Sequence, residues 1–198
     1  MDDDAAVLVS AITDVGQWRW WASEFPKLFQ LEFGGVQIYE RPADPTRPPS
    51  SMLALRFRNP ALVAFMRRTD SPNIPADWHT KLHDDAIEPF PMSVDAFAFD
   101  DDDAIRKIVS ERTSEVEVHR GEGSTAVRVA FWAGPVGVHV EAAELELVTL
   151  NGKITSQELV ELHHAWWDYW KDYWKKRGTP EALPKSYACE VTIPLKAE

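Results

Sequence analysis

Two groups of histidines hold the residue types from which a metal or acid–base site is built. In the run Asp77-Trp78-His79-Thr80-Lys81-Leu82-His83-Asp84-Asp85, His79 and His83 stand at i, i+4 and face one way if the segment is helical. Asp84, Asp85 or Glu88 would add oxygen donors, a mixture suited to a divalent transition metal. On this reading His79, His83 and Asp84 are the ligands, the ion activates water and a carboxylate takes the proton, which makes the chain a metal-dependent hydrolase. The spacing lacks the central glutamate of H-E-x-x-H. Pro72, Pro75, Pro89 and Pro91 also crowd the segment and interrupt helical spacing. In the second group, His163 and His164 are adjacent, so on a helix they point about 100° apart and do not share one ion. His164 and Asp168 stand at i, i+4 and can pair.

Other chemical signatures fail on inspection. There is no G-x-S-x-G, no P-loop and no G-x-G-x-x-G. Asn151-Gly152 followed by Glu158 has the outline of half an EF-hand loop. Aligning Gly152 with its glycine puts Leu147 and Thr149 where aspartates are required. Asp100 to Asp103 could gather a cation, but they are more simply the cap of a helix through Arg112. Cys189, the only cysteine, sits among alternating apolar residues and reads as a buried structural thiol. No motif assigns the chain to a known family.

Charge narrows the partners. The chain carries 21 basic and 32 acidic residues, a net −11, which disfavours nucleic acid as a partner. The excess is uneven: residues 77–103 contain nine acids and one base, Lys81. A dense acidic segment beside aromatics such as Trp78 and Phe90 suits a partner with a basic surface, charge steering the encounter and rings anchoring it. The candidate binding residues are therefore Trp78, Asp84, Asp85, Glu88, Phe90 and Trp167. No apolar run approaches the roughly 18 residues of a membrane span, so no membrane partner is expected. The acidic start and single cysteine point to a cytoplasmic protein without a secretory signal. A homo-oligomer is open.

The elements that must position these residues follow from periodicity. Helices are expected from Asp4 to Thr13 and, in short form, from Gln17 to Phe25. Phe29, Leu31 and Phe33 alternate as a strand, as do Val36 and Ile38, with Gly34-Gly35 between them as a hairpin or a bulge. Residues 41–50 are a proline-rich loop, Leu53 to Phe57 a strand, and Pro60 opens a short helix to Arg68. Residues 69–92 are largely irregular, with a helical turn around 77–82. A β-meander runs from Glu115 to Val148. Thr155 and Glu158 form a capping box for a helix over 156–177, with Gly178 and Pro180 closing it. That helix carries an apolar stripe (Leu159, Leu162, His163, Trp166, Trp170, Tyr173, Trp174), with Trp167 off the stripe as a contact residue if exposed. Ser186 to Leu195 reads as a last strand.

The architecture expected is a single α+β domain over residues 1–198. Its mostly antiparallel sheet of five to seven strands is packed by the long Trp-rich helix, with short N-terminal helices at one end. The leading functional expectation is a non-enzymatic protein-interaction module, immunity- or adaptor-like, that needs no cofactor. The alternatives are the metal-dependent hydrolase and a small-molecule binder with a pocket against the Trp-rich helix.

Overall fold

The structure is a computed structural model and describes residues 3–13, 16–41, 49–68, 77–81, 92–112, 115–182, 193 and 195. It is α+β. Eight antiparallel strands are β1 (Gln17–Glu24), β2 (Leu28–Gly34), β3 (Leu53–Arg67), β4 (Met92–Phe99), β5 (Glu115–Arg120), β6 (Val127–Ala133), β7 (Val136–Thr149) and β8 (Gly152–Ile154). The helices are α1 (Asp3–Ile12), the single turn α2 (Trp78–Lys81), α3 (Asp102–Arg112) and α4 (Ser156–Lys176). None of the described helices is long and apolar enough to cross a membrane.

The sheet closes on itself. β1 pairs with β2, β2 with β3, β3 with β7, β7 with β6, β6 with β4, and β4 returns to β1. The last seam is short, Gln17 opposite Ser93 and Trp18 opposite Met92, and the Val94 N–H extends it by donating to the Gly16 carbonyl at 2.8 Å. Closure puts one face of each strand inside. Phe29, Leu31, Phe33, Leu53, Leu55, Phe57, Val129 and Phe131 form the core, all at most 1 % exposed. Period-two alternation selects these residues, and closure pairs edges that a flat sheet would leave open, with β5 and β8 attached outside the ring.

β3 organises the barrel. One edge pairs with β7 along almost its whole length. The other pairs with β2 up to Arg58 and with β5 from Leu62 onward. The change of partner falls at a register shift between Pro60 and Leu62, where Asn59 adopts φ +47°. Proline fits there because it has no N–H to offer a ladder. Residues 61–67 therefore continue a strand through a bulge, and the short helix expected up to Arg68 is corrected.

The expected helix over 17–25 is also corrected: those residues are β1. The run Trp18-Arg19-Trp20-Trp21 has no clean period, and pairing with β2 decides its conformation. Gly34-Gly35 forms neither a hairpin nor a bulge. Gly35, at φ +67°, ends β2, and Val36 to Tyr39 run as a thread whose N–H groups bond to Ser51, Ala11, Val36 and Leu162. The expected strand over 186–195 lies outside the described residues, apart from Ile193 and Leu195.

Both long helices match their sequence signals. Thr155 Oγ1 accepts from the Glu158 N–H (3.2 Å) and Glu158 accepts from the Thr155 N–H (2.7 Å), the two halves of a capping box. Asp101 caps α3 by accepting from the N–H groups of Asp103 and Ala104, while Asp102 pairs with Arg128 and Asp103 with Arg106. The aspartate run is thus committed to helix capping and ion pairs. α3 covers the outer face of β4 and β6 through Ile105 on Ala98 and Ala130. α4 sets Leu159 into the core and rests Leu162 against it.

Candidate functional site

β5 runs alongside β3 beyond the point where β2 leaves, so it extends the barrel wall at one mouth. Register places Glu117 opposite Phe65 and His119 opposite Val63, so these two polar residues lie on the same side as core residues. α2 sits across this mouth. Its Trp78 ring stands edge-on to Trp18 (5.7 Å) and Phe65 (5.9 Å). The adjacent His79 stacks on Phe65 at 4.6 Å and 14°.

Three polar side chains meet there. His79 Nε2 lies 3.2 Å from one Glu117 carboxylate oxygen, and His119 Nε2 lies 3.1 Å from the other. One potential ligand atom from each residue lies within 4.8 Å of the others. His79 is buried, Glu117 is exposed and His119 is half-exposed. A cavity of about 260 Å³ adjoins them, walled by Trp21, Phe25, Phe29 and Phe65. A second cavity of about 290 Å³ is also lined by Phe65, His79 and Glu117, together with Arg67 and Glu115. Arg67 and Glu115 are ion-paired.

Two imidazoles and a carboxylate are a donor set for a divalent first-row metal, and three protein ligands leave coordination positions open. The stack on Phe65 fixes the His79 ring. A metal-bound imidazole normally donates its second N–H to an acceptor. His79 Nδ1 has no hydrogen-bond partner among the described residues.

The sequence-derived candidates separate. His79 belongs to the site, but its companions are Glu117 and His119. His83, Asp84, Asp85, Glu88 and Phe90 lie outside the described residues, as does Cys189. Trp78, expected to offer its ring to a partner, is instead 7 % exposed and packs in the core. Trp167 is 54 % exposed. His163 and His79 share no contact among the described residues. The His163 ring is buried, with Nδ1 2.8 Å from the Gln37 carbonyl and Nε2 accepting the Trp167 indole N–H at 3.2 Å. Acceptance at Nε2 places the proton on Nδ1, which donates to Gln37. No hydrogen bond joins the exposed His164 to Asp168 among the described residues.

Glu117 and His119 escaped the sequence reading because Glu115 to His119 alternates like a strand with one solvated face. The available signal was Glu-x-His within that strand, since a period of two aims both side chains to one side. Among the described residues, two cavities touching α4 are walled by Leu8, Phe99 and Leu159 in one case and by Tyr39, Ala165 and Tyr169 in the other. Its tryptophans line neither. No protein-family model matches the chain, no curated protein is similar to it, and no solved structure matches it.

Proposed function

We propose that the protein binds a divalent transition metal through His79, Glu117 and His119, and through it a small ligand with an aromatic or apolar body. The observation that carries this reading is the convergence of three ligand atoms within 4.8 Å at an aromatic-walled mouth. Phe25, Phe65 and Trp21 would take the ligand's body, and Glu117 would fix the geometry between the two rings. Hydrolysis is the reaction such a centre supplies, because a bound divalent cation polarises a carbonyl or phosphoryl group and makes water a nucleophile near neutral pH. The expected location is the cytoplasm, in keeping with a single cysteine.

Glu117→Gln and His119→Ala are the clean variants, because both side chains reach solvent and neither fills the core. Untagged protein stripped with a chelator and titrated with Co²⁺ should develop visible absorption bands that saturate at one ion per chain. Each variant should weaken binding at least about tenfold, the range seen when a metal's surroundings lose one contributor. No saturable Co²⁺ spectrum, or the same spectrum in both variants, would overturn the proposal.

A protein-interaction role is the second reading, and the exposed Trp167 favours it. An acidic surface formed by Asp84, Asp85 and Glu88, with a basic partner, rests on residues that lie outside those described.

A further inference from the structure

Most of the tryptophan-rich helix does not face the barrel. Trp167 and Trp174 are 54 % and 60 % exposed. They stand seven residues apart, about 10.5 Å along the axis, and so share one stripe. Val160, half-buried, lies seven residues before Trp167 on the same stripe. A repeat of seven on a helix surface is the spacing of a helix–helix seam.

Trp167 is held in place. Its indole N–H is satisfied by His163 within its own chain, so the ring offers an apolar face with no polar group left to satisfy. Trp174 carries the Arg177 guanidinium over its ring at 5.1 Å.

Charge along the helix is polarised. The first half exposes Glu158 and Glu161, while the second exposes Lys171, Lys175 and Arg177 beside Asp168 and Asp172. Such a helix complements itself only when a second copy runs antiparallel. With the two-fold axis beside Trp167, the two Trp167 rings meet, each Trp174 covers the other copy's Val160, and Glu161 comes within reach of Lys175 of the other copy. A parallel arrangement would oppose like charges along the whole length.

We infer that the outward face of α4 is a homodimer interface, two copies packing antiparallel about Trp167. The apolar area is modest for a standard interface of roughly 800 Å² per partner, so the dimer is a reversible one. This inference is independent of the metal site.

Sedimentation velocity of the full chain across a range of concentrations tests it. The wild type should pass from monomer to dimer as concentration rises. Trp167→Ala with Trp174→Ala should weaken dimerisation at least about tenfold, as expected for central aromatic anchors. Lys175→Glu should weaken it through repulsion by Glu161, and adding Glu161→Lys should restore it. That rescue is specific to the antiparallel pairing. A wild type that stays monomeric throughout, a dimer indifferent to loss of both tryptophans, or a charge reversal that does not rescue would each overturn the inference. Binding of the tryptophan face to anionic vesicles by a strictly monomeric protein would reassign the surface to a membrane.

Discussion

Glu32→Gln is expected to stabilise the protein at pH 8 by up to about 3 kcal/mol and to leave its stability near pH 4.5 almost unchanged. Glu32 lies on the outer face of β2 and is 1 % exposed. Burial raises its carboxyl to about 7, against partial relief from the Gln30 side chain, the Ile193 backbone and the Arg56 charge. The Gln30 amide donates to Glu32 and to the Ile193 carbonyl, both at 2.8 Å, while the Arg56 guanidinium donates to Gln30 at 2.9 Å. The Arg56 guanidinium is thus engaged by the Gln30 amide, and its charge offsets only part of the effect of burial on Glu32.

The sign follows from the raised value. The folded state prefers the neutral acid, so the contribution to stability is fully present below the unfolded value of 4.5 and is lost as pH rises through about 7. Glutamine keeps the oxygen that accepts from Gln30 and never ionises, so the Glu32 share of the pH dependence should be missing from the variant. Urea denaturation at pH 5 and pH 8 measures this. A variant less stable than wild type at pH 8 would mean that the carboxylate is ionised and paired. Glu146 shows the contrast. Burial pushes it up, but hydrogen bonds from Arg58 (2.7 Å) and Lys153 (2.9 Å) hold it below the ordinary carboxylate range.

Gly123→Ala should cost about 3 kcal/mol or more, at the upper end for overpacking, because the clash is with backbone and no rotamer relieves it. A Cβ at Gly123 would stand 1.7 Å from the Asn59 carbonyl oxygen and 2.7 Å from its carbon. Asn59 is the left-handed residue beside the Pro60 bulge, and the neighbouring Gly121 donates its N–H to the Ala61 carbonyl at 3.0 Å. The two glycines let the end of β5 lie against the bend of β3. Displacing that contact moves Glu117 and His119 relative to His79, so Co²⁺ binding should weaken together with stability. A midpoint of denaturation within error of wild type would show that the chain relieves the clash cheaply.

The parts legible in the sequence are those fixed locally. The capping box of α4 and the Asp101 cap of α3 are short-range patterns, and each appears in the structure; the strands expected between Glu115 and Val148 also form, but the meander is corrected, because β5 pairs with β3 and only β6 and β7 are sequential neighbours. β1 and the second half of β3 depart from their local pattern because distant partners determine them. Trp18 to Trp21 become a strand by pairing with β2, and Ala61 to Arg67 by lying between β5 and β7. The site was half legible for the same reason. His79 drew attention through local spacing to His83, whereas Glu117 and His119 reach it only because β3 changes partners at Pro60. The fate of Trp78 and Trp167 could not be read from residue type: one ring plugs the barrel mouth and the other faces solvent.

The ring of strands also dictates an order of events during synthesis. β1, β2 and β3 are complete once Arg67 has formed, yet β3 keeps its long second edge unpaired until β7, beginning at Val136, is available. A chain arrested before Val136 would expose that edge together with the apolar faces of β2 and β3, a template for association with other nascent chains. Because the decisive pairing joins segments this far apart, folding should be slow for the chain's size, dominated by loop closure more than by helix formation.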